Sequence, residues 1–96
     1  MIRIFVNEVF YIEALVTGSD GNGIEGLEIT FSVFDSSTDK VFCSGKMTDV
    51  GRGCYKAPIS FNVPSQYRLL IETPELYENV LDSIIVEKKS GRQIPH

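Results

Sequence analysis

Two stretches of period-two alternation joined by a glycine-rich loop restrict this chain more than any other feature. In residues 9–17, Phe10, Ile12, Ala14 and Val16 alternate with Tyr11, Glu13, Leu15 and Thr17. In residues 27–35, Leu27, Ile29, Phe31 and Val33 alternate with Glu28, Thr30, Ser32 and Phe34. Successive side chains of a strand point to opposite faces, so each stretch reads as a strand with one side on a core and one on water. The loop between them holds Gly18, Gly21, Gly23 and Gly26. These glycines are expected to take positive φ where the chain reverses or crosses between sheets. Asp20-Gly21 adds a tight-turn signal.

Five further segments read as strands: residues 2–6, 40–47, 53–59, 66–73 and 80–88. Turn residues separate them at 7–8, 36–39, 49–51, 62–65 and 74–79. Pro58 cannot donate to a ladder, so its strand should be near its end, at an edge or bulged there. No segment has helical periodicity long enough for a βαβ crossover, and 74–77 makes a single helical turn at most. With 96 residues the chain is one domain able to bury a core without metals or several disulfides. Alanine is confined to Ala14 and Ala57, while Val, Ile, Phe and Tyr are frequent, which favours pleated surfaces.

These residues resemble a known family. Ile12-x-Ala14-x-Val16, then Asp20-Gly21-Asn22-Gly23-Ile24-x-Gly26, then Ile29-x-Phe31-x-Val33, is similar to bacterial immunoglobulin-like repeats of the invasin/intimin type, an outline that macroglobulin-like domains share. Met47-Thr48-Asp49-x-Gly51-x-Gly53-x-Tyr55 resembles the family's threonine–aspartate–x–glycine hairpin, and Tyr67-x-Leu69-x-Ile71 its penultimate strand. The expected fold is therefore all-β, a seven-stranded antiparallel immunoglobulin-like β-sandwich over residues 1–88, followed by a basic C-terminal tail at 89–96. One sheet should hold segments 2–6, 9–17, 53–59 and 40–47, and the other 27–35, 66–73 and 80–88. The core should contain Phe10, Ile12, Ala14, Val16, Leu27, Ile29, Phe31, Val33, Tyr55, Tyr67, Leu69 and Ile71. The resemblance carries no catalytic residues. It implies structural roles: adhesin stalk repeats, surface-layer modules, virion decorations and spacers in enzymes.

The chemistry-bearing residues are sparse. The single histidine, His96, is the last residue, a poor foundation for a nucleophile–base pair. The carboxylates are scattered, so no enzyme activity is expected. Asp20, Asn22 and Glu25 share one loop, with Asp35 and Asp39 near another. Calcium takes such oxygen ligands, but the EF-hand spacing is missing and the same residues form turns; no metal or cofactor is expected. Cys43 and Cys54 flank a hairpin turning near Thr48-Asp49. They would face each other, within reach of a disulfide if their Cα atoms come within ~7 Å. A pair of reduced thiols is the other reading, and the one a cytosolic origin favours.

Net charge is −4. Three of the nine bases, Lys88, Lys89 and Arg92, lie in the last nine residues, which hold no acid. The rest carries six bases against thirteen acids, which argues against nucleic-acid binding. The basic tail is either a solvated terminus or an arm that docks on an acidic neighbour. No apolar run approaches the ~18 residues of a membrane span, and the N-terminus has no secretory signal pattern.

The apolar residues on outward faces, Tyr11, Leu15, Phe34 and Leu70, are the candidate contact residues for a protein partner or for self-association. The expected function is a non-enzymatic interaction module in a virion or extracellular assembly. The alternatives are an excised cell-surface adhesin repeat and a carbohydrate-binding module using Tyr11, Tyr77 or Phe34.

Overall fold

The computed structural model describes residues 1–73 and 79–88. It is all-β, with eight strands in two sheets. In chain order these are β1 (Ile2–Phe5), β2 (Phe10–Leu15), β3 (Thr30–Asp35), β4 (Val41–Lys46), β5 (Thr48–Gly51), β6 (Cys54–Ile59), β7 (Ser65–Glu72) and β8 (Val80–Glu87). The larger sheet runs β1-β8-β7-β3-β4 and the smaller β2-β6-β5.

Three expectations are corrected. There are eight strands rather than seven, because Thr48–Gly51 pairs with β6 instead of forming only a turn. The arrangement is not wholly antiparallel: β1 runs parallel to β8, with Ile2 beside Ile84 and Ile4 beside Val86. Segments 2–6 and 40–47 belong to the larger sheet, not to the sheet of β2 and β6. The helical turn expected at 74–77 lies outside the described residues.

Met47 explains the fourth segment. It lies between β4 in one sheet and β5 in the other, its side chain is 6% exposed, and its N–H bonds to Ile29 C=O at 2.8 Å. The chain changes sheets there rather than turning back on itself. The turn comes later, at Arg52-Gly53, whose φ values of 58° and 80° are the pair a two-residue type I′ hairpin requires. Gly51 and Cys54 close it.

The loop from β2 to β3 also crosses between sheets. Gly21 and Gly26 take positive φ, whereas Gly18 and Gly23 do not. Gly23 is needed for closeness: a Cβ there would stand 2.0 Å from Arg52 C=O. The loop is pinned to the hairpin by Asp49, which accepts the N–H groups of Gly26 and Gly51, both at 2.8 Å, and by Glu25, which accepts Arg52 N–H at 2.9 Å. Those bonds, Gly26 first and Gly51 second, hold the Asp49 carboxyl below its ordinary value of 3.8.

Between the sheets lies one core. Ile12, Ala14, Val16, Ile29, Phe31, Val33, Tyr55, Tyr67, Leu69 and Ile71 are buried as the alternation requires, and Phe10 and Leu27 are half-buried at its margin. Ile4, Met47, Ala57, Ile59, Phe61, Ile84 and Val86 complete it. Burying each large side chain is worth roughly 1.5–3 kcal/mol before chain entropy is counted. The two buried tyrosines satisfy their hydroxyls on loop backbone. Tyr55 donates to Ile24 C=O at 2.7 Å and accepts from Leu27 N–H at 3.1 Å. Tyr67, near the start of β7, donates to Val63 C=O at 2.9 Å.

Pro58 sits one residue before the end of β6, opposite Tyr11. By the alternation of the ladder its missing N–H faces the β5 side, and β5 reaches only as far as Lys56. No ladder bond is lost.

Candidate interaction surface

The four outward apolar residues do not form one group. Phe34 and Leu70 lie on the outer face of the larger sheet, one row apart, since Phe34 pairs with Arg68 and Leu70 with Ser32 across the β3–β7 ladder. Tyr11 and Leu15 lie on the outer face of the smaller sheet, opposite Pro58 and Cys54. They are 58% and 70% exposed.

Around Phe34 and Leu70 the pattern continues. Leu81 stands directly opposite Leu70 and is 77% exposed, and Val41 stands opposite Phe34. Phe34, Leu70 and Leu81 line a shallow depression of about 270 Å³, whose polar side is Arg68 and Asp39. Those two residues pair with each other. The Arg68 guanidinium carbon also lies 5.7 Å from the Phe34 ring centroid, within cation–π range. The floor of the depression is apolar, and the charge pair at its side is exposed. Leu81 and Val41 carry no sequence signal of their own. Each lies in a run of apolar residues whose facing is decided by which strand pairs with it.

At the other end of β7 an aromatic group joins buried Phe61 and Tyr67 to Phe42, which is 39% exposed at the core margin. Phe42 stacks on Phe61 at 5.0 Å between centroids, and Phe61 lies 4.3 Å from Tyr67. A register shift in the β3–β4 pairing beside Phe34 sets Val41, not Phe42, opposite it.

The loop carboxylates hold their own turns. Asp20 accepts the backbone and side-chain N–H groups of Asn22, both at 3.0 Å, and Asp35 accepts Ser37 N–H at 2.8 Å and its hydroxyl at 2.6 Å. Both carboxyls are held below 3.8, Asp20 chiefly by the Asn22 backbone bond and Asp35 chiefly by the Ser37 hydroxyl. No cluster of three His, Cys, Asp or Glu groups suited to a metal occurs among the described residues.

The cysteines do not face each other. Cys43 pairs with Val33 in the larger sheet, whereas Cys54 pairs with Leu15 and Gly51 in the smaller, and both are free. The hairpin that would have joined them is not formed, because the chain changes sheets at Met47. Burial pushes the Cys43 thiol up, and Cys54 Sγ donates to Glu13 Oε1 at 3.6 Å. The native protein is expected to show the same mass before and after reduction and to take up two alkyl groups, read by intact mass spectrometry. Of the basic tail, Lys88 is exposed at the end of β8; Lys89 and Arg92 lie outside the described residues.

No family model and no curated protein matches the chain. Among solved structures it is similar to part of a "putative glycoside hydrolase from Bacteroides vulgatus", with a TM-score of 0.67 and 11% sequence identity. The match covers 95% of this chain and 17% of that one, so the chain spans a small part of that protein's length. At this identity the likeness shows the two-sheet, all-β fold alone.

Proposed function

We propose that this chain is an immunoglobulin-like, non-catalytic protein-interaction module that makes its contact through the outer face of the larger sheet. The observation that carries the contact is the grouping of Phe34, Leu70 and the 77%-exposed Leu81 beside the Arg68–Asp39 pair. A contiguous apolar group with a polar rim is what a partner covers, whereas isolated apolar residues need no explanation.

Two features support the immunoglobulin-like part. Lettered with β2 as B, β3 as C, β4 as C′, β5 as D, β6 as E, β7 as F and β8 as G, the sheets read B-E-D and β1-G-F-C-C′, with β1 parallel to G at the edge. The placing of B, E and D in one sheet and G, F, C and C′ in the other is similar to that of the variable-type sandwich, which supports the reading. The Tyr67 hydroxyl, bonded four residues back to Val63 C=O near the start of strand F, has the geometry of the tyrosine corner.

A subunit of a larger virion or extracellular assembly remains the setting we propose. The carbohydrate-binding alternative has less support. Tyr11 lies on the outer face of the smaller sheet and Phe34 on that of the larger, so the two do not make one platform, and Tyr77 lies outside the described residues.

The test is Phe34→Glu combined with Leu70→Glu. Both side chains lie outside the core, so the double variant is expected to fold, while the assembly formed by the unsubstituted protein, followed by sedimentation velocity, is lost. A folded double variant that still assembles refutes the reading.

A further inference from the structure

The two sheets are of unequal width. Three strands cover a floor of five, and β2 is the terminal strand of the narrower sheet. Among the described residues nothing covers the floor beside its edge. Val80 is in register with buried Ile71 and so faces inward, yet it is 45% exposed. A groove of about 220 Å³ runs there, with Phe10 and Ile12 of β2 on one side and Leu69, Ile71, Val80 and Asp82 on the other.

The backbone of β2 is arranged to bond outward. Val16 N–H donates to Gly53 C=O at 2.8 Å. In an antiparallel ladder bonded pairs alternate, so Phe10, Ile12 and Ala14 also exchange bonds with β6. The N–H and C=O groups of Tyr11, Glu13 and Leu15 therefore point away from the sheet.

The other three edges are blunted in ways that discourage strand pairing. β1 and β5 are four residues long, and β5 has a register shift. β4 has a register shift against β3 and ends in Lys46. In contrast, β2 keeps unbroken register with β6 over six residues and contains no Pro, Gly or Lys.

We propose that the β2 edge takes a further strand: an extended segment of a partner protein, apolar at the alternate residues that enter the groove and basic at those that face out. The basic preference comes from Glu13, which faces out, is 59% exposed and has Lys56 only at 3.9 Å, on a body with six bases against thirteen acids; Asp82, in the groove, is already paired with the N-terminal ammonium at 3.1 Å. A second copy fits less well. The two-fold register that bonds Tyr11, Glu13 and Leu15 together sets Glu13 against Glu13, and like charges directly opposite destabilise a ladder. This edge is separate from the outer face bearing Phe34 and Leu70, so the inference goes beyond the function proposed above and fails independently of it.

Hydrogen exchange read by NMR tests it, with an end-blocked peptide alternating valine and lysine as the probe. The amides of Tyr11, Glu13 and Leu15 are expected to slow by about tenfold or more, while those of Ile12 and Ala14 change little. Glu13→Pro removes one outward N–H without touching the β6 ladder and is expected to abolish the slowing. Glu13→Lys, which leaves the backbone free, should shift preference to a valine–glutamate peptide. Phe34→Glu with Leu70→Glu should leave the response intact. Three results would overturn the proposal: no slowing at millimolar peptide, an unchanged preference in a folded Glu13→Lys protein, or slowing that depends on protein concentration without peptide, which would assign the edge to a second copy.

Discussion

Gly53→Ala is expected to destabilise the protein by about 3 kcal/mol or more, the sum of a left-handed backbone penalty and a steric clash. Gly53 has φ +80°, and a Cβ built on it would lie 2.3 Å from Val16 C=O and 2.7 Å from Gly23 Cα. All of these neighbours are backbone, and none can swing aside as a side-chain tip would. The hairpin would have to lift from the β2–β3 loop, breaking the Val16–Gly53 bond that ends the β2–β6 ladder. Gly21→Ala separates the two causes. Gly21 has nearly the same φ, +83°, but open space around it, so only the conformational part, roughly 1–2 kcal/mol, is expected. Urea unfolding of both variants measures the difference. Equal losses would mean that the close approach of loop and hairpin does not hold the sandwich together.

Phe61→Ala is expected to cost ~3–5 kcal/mol, enough to leave a domain of this size largely unfolded at room temperature. Phe61 is 1% exposed and lies against both Phe42 and Tyr67. Its C=O accepts Asn7 N–H at 2.7 Å, tying the segment after β1 to the end of β6. The backbone bond survives truncation, so the loss reports the ring. Chemical denaturation with tyrosine fluorescence follows it, and a loss below about 1 kcal/mol would mean the ring is not part of the core.

The contrast between these two sites shows what a sequence of this kind displays. Period-two alternation reports which face of a strand a side chain occupies, and for Ile12, Ala14, Ile29, Phe31, Val33, Leu69 and Ile71 it reported the buried face correctly. It does not report which strand lies alongside. A parallel and an antiparallel neighbour impose the same alternation, so Ile2 and Ile4 carry no mark of their pairing with β8. The run through Met47 looks the same whether the chain turns or changes sheets, and the sheet assignment of β4 depends on that one residue. Phe61 continues the alternation of Tyr55, Ala57 and Ile59, but it lies past the expected end of that strand at residue 59 and just before the turn residues Asn62-Val63-Pro64, so the expected strand stops one step too early. For the contact surface, Phe34 and Leu70 were legible as outward residues of strands with clear faces. Leu81 and Val41 join them only through register, which the sequence does not express.

We propose that another protein holds this domain by the outer face of its larger sheet. Photo-crosslinking from position 81 tests it most directly, with a benzophenone side chain in place of Leu81 in the intact assembly. One dominant protein adduct is expected at that position, lost when Phe34→Glu and Leu70→Glu are added although the domain stays folded. No adduct, or an adduct that the two substitutions leave unchanged, would contradict it.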